Sequence, residues 1–238
     1  MTPIVGVLLV LTLADGDTAF QRIDYRSAAA IYDSVLTTSA DPAAVLWRLA
    51  RLYVCMADVA PEESRDDIYR EAENYARRSI LADSSVGQAH TWLAAALGNL
   101  AMREGARTKV MLCREIKAEL DRAIILDPGD DIAYSILGSF YLALGNVSWI
   151  ERQLAAIFLG GLPQGGLEES EQALRKAIAL APGVVRHHFE LGRVYLAEDR
   201  KEEARHEFEQ SASLPATLAS DHHTQASARE EITLLDER

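Results

Sequence analysis

Apolar side chains recur along most of the chain at intervals of three and four residues, which is the spacing of a buried stripe on an α-helix. The pattern is clearest over residues 184–212, where two short amphipathic stretches are joined by a tight turn. Their common face carries Leu191, Gly192, Tyr195, Ala204, Phe208 and Ser211. The small residues Gly192 and Ala204 allow two backbones to approach, and the aromatic side chains fill the space beside them. This stretch therefore predicts a pair of packed helices.

The same unit recurs four times earlier in the chain. Aligning the small residue of each second helix gives one series of positions, Val35, Ser79, Ala123, Ala177 and Ser211. Successive members are 44, 44, 54 and 34 residues apart. The additional residues of the longer units lie between the two helices of a pair, so the insertions fall inside the repeats.

Periodicity and helix breakers together predict the individual helices. They are expected at residues 17–23, 25–36, 43–56, 61–82, 86–102, 108–126, 131–144, 146–158 and 168–181, followed by the pair within 184–212 and a last helix at 221–237. The helix at 146–158 is an insertion in the fourth repeat, broken by the glycine-rich stretch 160–166. The last helix is apolar on one side only, as the cap of a repeat array must be.

The Leu191-Gly192-x-x-Tyr195 pattern, the later Ala204 and Phe208, and the 34-residue step resemble the tetratricopeptide repeat. Residues 45–53 (VLWRLARLY), 114–138, 147–163 (VSWIERQLAAIFLGGLP) and the final repeat resemble, more narrowly, the regulator of microtubule dynamics family. That similarity covers about residues 19–238. We expect an all-α, right-handed α-solenoid of tetratricopeptide-like helix pairs, with an inserted helix and a C-terminal capping helix. The resemblance implies a non-catalytic domain, associated in animal members with microtubules, spindle poles or organelle contacts.

Composition supports a folded helical protein and limits the classes of partner that it is expected to bind. Of 238 residues, 49% are hydrophobic and 25% are charged, which argues against disorder. The formal charge of −12 opposes a general affinity for nucleic acid, for anionic lipid and for acidic tubulin. A local excess of +3 lies at Arg103, Glu104, Arg107, Lys109, Arg114, Glu115 and Lys117. This stretch is either a site for an acidic or phosphorylated partner or a solvated helix face.

The N-terminus admits two interpretations. Residues 4–13 form an uncharged apolar run, and Thr12-Leu13-Ala14 fits a small-x-small cleavage rule, so residues 1–14 are interpreted as a signal peptide and residues 15–238 as the repeat domain. The protein would then be periplasmic or secreted. The alternative is a first helix that caps the array in a cytoplasmic protein. The run is too short to span a bilayer in the mature chain.

The concave groove of a tetratricopeptide array is lined by fixed positions of each first helix. Projected onto this chain, these positions are Trp47, Arg51, Thr91, Ala95, Asn99, Ser135, Ser139, Arg186, Phe189 and Arg193. Such a groove suits an extended peptide or a docking helix, with tryptophan and arginine as anchors. The alternative is that Trp47 packs on a neighbouring repeat and that the arginines pair with acids.

No motif indicates catalysis, a cofactor or a metal. The adjacent pairs His187-His188 and His222-His223 point about 100° apart on a helix, so one ion cannot readily take both as ligands. Cys55 and Cys113 are expected to be free thiols. The sequence therefore predicts a non-enzymatic scaffold that binds a protein or peptide. The alternative function is a carrier of an apolar ligand such as a lipid, with residues 147–158 as a roof over the groove.

Overall fold

The computed structural model describes residues 11–237, which form twelve α-helices and no β-strand. In chain order these are α1 (Leu13–Gln21), α2 (Tyr25–Leu36), α3 (Pro42–Val59), α4 (Glu62–Ala82), α5 (Gly87–Ala101), α6 (Ala106–Leu126), α7 (Asp131–Gly145), α8 (Trp149–Leu159), α9 (Leu167–Leu180), α10 (Val185–Ala197), α11 (Lys201–Ser213) and α12 (Asp221–Asp236).

The helices pack as five pairs that stack in chain order. The pairs are α1 with α2, α3 with α4, α5 with α6, α7 with α9, and α10 with α11. The second helix of each pair contacts the first helix of the next pair, and the first helices α3, α5, α7 and α10 form a continuous row. α12 packs on α11 and α10 and ends the array. The all-α solenoid of helix pairs with a C-terminal cap is thus confirmed.

Local signals explain where the helices begin and end. The Asp41 side chain accepts a hydrogen bond from the amide of Ala44, and Pro42 occupies the first turn of α3. Asp130 caps α7 in the same way. α1 begins four residues before the predicted position because Thr12 and Asp15 form a reciprocal capping box.

The same position of the second helix is buried in every helix pair. The side chains Tyr32, Ala76, Leu120, Leu174 and Phe208 occupy equivalent positions of the five second helices, and all five are fully buried. A Cβ atom on Gly192 would lie 2.7 Å from the Phe208 ring, and one on Gly138 would lie still closer to the Leu174 side chain. Close approach of the paired backbones, predicted at Gly192, is therefore confirmed, and Gly138 repeats it.

The two ends of the solenoid touch each other. The Tyr25 hydroxyl, at the start of α2, accepts a hydrogen bond of 3.2 Å from the Ala219 amide, which lies just before α12. Leu218 and Ala219 pack against the buried cluster of the first repeats that includes Phe20 and Tyr25. The segment before α12 therefore reaches across to the first repeat.

Candidate functional site

A cavity of about 180 Å³ lies where the row of first helices curves back on itself. The row runs from α3 through α5 and α7 to α10, yet α10 also approaches α3 directly, since Arg186 lies 4.0 Å from Asp58. The cavity is therefore on the concave side. Its lining residues are Asp58, Tyr69, Arg186, Phe189, Glu190, Leu218, Ser220, Asp221, His223 and Thr224.

Arg186 is the accessible charge in this cavity. About half of its side chain is exposed, and its nearest acid, Asp58, is only at the outer limit of an ion pair. Asp58 is already engaged, because the Tyr69 hydroxyl donates to it over 2.6 Å. Burial and the neighbouring Asp58 both raise the pKa of Tyr69, so its phenol stays protonated and keeps this bond. Because 4.0 Å is too long for a hydrogen bond to Asp58, Arg186 retains donors for a ligand.

The other walls of the cavity are apolar or internally bonded. Phe189 packs on Phe208 with ring centroids 5.7 Å apart. Asp221 accepts from the backbone amides of Thr217 and Leu218 over 2.7 and 2.8 Å, which fixes the segment before α12. The arrangement presents one guanidinium beside an aromatic and an aliphatic surface, together with the acidic side chains of Asp58, Glu190 and Asp221.

The structure places the predicted anchors of α3 in an internal network. Arg51 donates to Asp17 over 3.0 Å and to the Tyr32 hydroxyl over 3.1 Å, and its guanidinium lies 3.9 Å from the centroid of the Phe20 ring. Arg48 also pairs with Asp17, over 2.9 Å, and stacks on Trp47. Although burial opposes its charge, hydrogen bonds from Tyr32 and Arg48 lower the pKa of Asp17. This network ties α3 to the first repeat.

The predicted groove positions of α5 and α7 also bond within the fold. Thr91 is fully buried and donates to Asp130 over 2.5 Å, which joins α5 to the N-cap of α7. Asn99 and Ser139 donate to carbonyls one turn earlier in their own helices. Ser135 is buried. These four residues do not line the cavity.

Arg186 and Phe189 are the two predicted positions that meet at the cavity, while Arg193 pairs with Glu190 over 3.0 Å. Sequence reasoning missed Asp58, Tyr69 and Asp221. Asp221 is an acidic residue in the first turn of α12, which is a local signal that the sequence does show. The approach of Asp58 to Arg186 has no local signal, because 128 positions of the sequence separate them.

The two adjacent histidines of α10 bond to different helices. His187 lies 2.8 Å from Asp131 of α7, and His188 lies 2.7 Å from Glu207 of α11. The described part of the chain contains no cluster of three side chains suited to hold a metal ion. His187 thus links neighbouring repeats, and His188 links the two helices of its own pair.

The inserted helix α8 does not lie where a roof over the groove would require. Among the described elements its neighbour is α6, the second helix of the third pair, and α8 starts three residues after the predicted position because Ser148 and Glu151 form its capping box. Ile150, Leu154 and Ile157, the side chains expected to cover a ligand, are exposed. No helix within residues 11–237 combines the length and apolar content that a bilayer crossing requires.

The signal-peptide prediction falls mainly on residues 1–10, which lie outside the described residues. Leu13 and Ala14 form the first turn of α1, which Thr12 caps. Cleavage after Ala14 would remove that cap, and whether it occurs stays a prediction.

Comparison with known proteins identifies the family of this chain. The sequence model of "Regulator of microtubule dynamics protein 1-3" matches residues 12–236. The chain belongs to the regulator of microtubule dynamics family. Regulator of microtubule dynamics protein 1 of Mus musculus is 27% identical over 192 residues, covering 79% of this chain and 63% of the relative. Protein 3 of Xenopus laevis is 30% identical over 139 residues, covering 58% of this chain and 30% of the relative. The chain thus spans less than two thirds of the length of these relatives.

Solved structures support the repeat architecture of this family member. A thermophilic tetratricopeptide protein of Thermus thermophilus superposes with a TM-score of 0.67 at 15% identity, covering 93% of this chain and 97% of that one. Yeast Tom70 gives 0.56 at 15% identity, covering 94% of this chain and 40% of that one. The tetratricopeptide-like fold is therefore confirmed.

Proposed function

We propose that this chain is a non-catalytic scaffold that binds a protein segment in the concave cavity between α3, α10 and the start of α12. The observation that carries the proposal is Arg186, a half-exposed guanidinium on the concave surface whose nearest acid lies 4.0 Å away. Arginine in a partly enclosed pocket is a frequent source of binding energy because its planar donors match a carboxylate.

The chemistry of the cavity defines the segment it would accept. Arg186 favours a carboxylate, and Phe189 with Leu218 favours an apolar side chain beside it. Because the cavity is small, the bound part would be one or two side chains of a longer segment. The chain's charge of −12 opposes long-range attraction of an acidic partner, so contact inside the cavity would have to supply the affinity.

The experiment compares Arg186 with Arg78, an exposed arginine of α4. Arg186→Gln removes the charge from the cavity, and Arg78→Gln removes a charge that lies outside it. Immobilised peptides that pair aspartate or glutamate with leucine or phenylalanine are screened against the wild-type protein, and the dissociation constant of a bound peptide is measured by calorimetry. We expect Arg186→Gln to weaken binding about tenfold or more and Arg78→Gln to change it about twofold at most. Equal losses in the two variants, or no bound peptide, would contradict the proposal.

The relatives are named as regulators of microtubule dynamics. A microtubule role for this chain is a second proposal, separate from peptide binding in the cavity. Its acidic charge would oppose association with acidic tubulin. Co-sedimentation with microtubules at low and moderate salt measures this directly. Export of the chain, also a prediction, would remove it from a cytoskeletal partner.

A further inference from the structure

The inserted helix exposes an apolar face. Four side chains at helical spacing on α8 are largely in solvent: Ile150 (63% exposed), Leu154 (51%), Ile157 (69%) and Phe158 (74%). They follow one stripe because their spacings are four, seven and eight residues. An exposed contiguous apolar patch of this kind usually marks an interaction surface.

α6 continues this surface with cationic side chains. Arg114 donates to the carbonyls of Leu159 and Gly161 over 2.5 and 2.9 Å, so it lies at the C-terminal end of α8. Arg107 and Met111 precede it by seven and three residues and therefore share its face of α6. Both are exposed, Met111 by 62%.

The acidic residues in this part of α6 are paired with another helix. Glu115 forms a salt bridge of 2.8 Å with Arg77 of α4, and Glu104, just before α6, lies 3.7 Å from Arg70 of α4. With the exposed Glu151 of α8 counted, Arg107 and Arg114 leave this face with a net charge of +1, although the whole chain carries −12. At physiological ionic strength a charge is screened beyond about 8 Å, so the local sign governs a surface in contact.

We propose that α8 and the adjoining face of α6 dock on an anionic membrane surface. In this arrangement α8 lies in the plane of the interface, its isoleucine, leucine and phenylalanine side chains enter the acyl boundary, and Arg107 and Arg114 contact lipid phosphates. Helices with one apolar face and flanking cations bind membranes in this manner.

The charge pattern favours a membrane over a second copy of the chain. In a two-fold symmetric dimer through α8, two copies of the same face would meet, and both copies would carry the same net positive charge. An anionic lipid surface has the complementary sign for both arginines.

The test measures co-sedimentation of the full chain with vesicles of phosphatidylcholine alone and of phosphatidylcholine mixed with phosphatidylserine. We expect binding to the mixed vesicles that decreases as salt rises, because the phosphatidylserine charge attracts the arginines. Ile157→Ser combined with Phe158→Ser should weaken binding by about tenfold for each side chain. Arg107→Glu should weaken binding to the mixed vesicles by about fivefold for each unit of charge changed.

Matched control variants distinguish binding through this site from nonspecific binding through other exposed apolar or cationic side chains. Leu81→Ser combined with Ile125→Ser alters two other apolar side chains that are 89% and 70% exposed, at the ends of α4 and α6. Arg122→Glu reverses an exposed charge near the opposite end of α6. Both control proteins should bind as the wild type does.

Three outcomes would overturn the proposal. They are absence of wild-type binding to the mixed vesicles, equal loss in the α8 variant and the Leu81/Ile125 control, and a wild-type dimer in sedimentation velocity that the α8 variant abolishes. The last outcome would identify a second copy as the occupant. Because the α8 surface lies apart from Arg186, failure of peptide binding at the cavity leaves this test unaffected.

Discussion

At the scale of single residues, the close packing of two helix pairs depends on a glycine of the first helix that faces a large side chain of the second. Gly138 and Gly192 lie on first helices where any Cβ atom would meet a buried neighbour, Leu174 or Phe208, closer than 3 Å. Gly98 of α5 is different, since a Cβ atom there would have no neighbour within 4 Å. Glycine is thus required at two of these positions and is only a helix-weakening residue at the third.

This contrast predicts opposite effects of the same substitution. Gly138→Ala should destabilise the protein by about 1 to 2 kcal/mol, because overpacking against fully buried Leu174 exceeds the gain in helix propensity. Gly98→Ala should stabilise it by up to about 1 kcal/mol. Urea unfolding of both variants measures the two free energies. A stabilising Gly138→Ala would show that the helices of this pair are not held as closely as the structure places them.

At the scale of helices, two repeats share a polar link between the members of a pair. His90 of α5 contacts Glu119 of α6 over 2.5 Å, and His188 of α10 contacts Glu207 of α11 over 2.7 Å. In each case the second ring nitrogen lies near a carbonyl of the preceding turn, Ser84 or Pro182. A protonated imidazole can donate to both acceptors at once, and a neutral one can donate to only one.

The link at His188 makes stability depend on pH. Burial alone would lower the pKa of His188, but hydrogen bonds to Glu207 and to the Pro182 carbonyl raise it above the unfolded value of about 6.5. The stabilising contribution is therefore fully present below about pH 6.5 and is lost as the pH rises through the folded pKa. His188→Gln should cost more stability at pH 6 than at pH 8, as measured by urea unfolding across this range. Glu207→Gln should remove the same pH dependence, and a variant difference that is constant with pH would contradict the assignment.

At the scale of the whole molecule, curvature brings the last helix back to the first repeat. The Tyr25 to Ala219 hydrogen bond joins residues 194 positions apart, and Leu218 packs against the cluster of the first repeats. This contact also forms one wall of the cavity. Closure therefore determines both the compactness of the solenoid and the size of its candidate site.

Breaking the closure should open the array without unfolding it. Leu218→Asp places a charge in the contact and should lower stability by roughly 1 to 2 kcal/mol while leaving the helices intact. Small-angle scattering should report a larger radius of gyration, and circular dichroism an unchanged helix content. Leu234→Asp, a substitution of an exposed leucine on α12, is the matched control and should change neither. An unchanged radius for Leu218→Asp would show that other contacts hold the ends together.

The sequence by itself determined the helix pairs, their alignment, the inserted helix and the cap. These features follow from contacts a few residues apart and from a repeating pattern of small and large side chains, both visible along one chain. Whether each predicted groove residue faces the cavity or bonds within the fold was decided only by the tertiary structure. Arg51 was expected to anchor a partner, yet it bonds to Asp17 of the preceding repeat, and the insertion expected as a roof lies on α6. Small rotations between successive pairs add up over the array, and only their sum decides that Arg186 faces Asp58 and that Tyr25 meets Ala219.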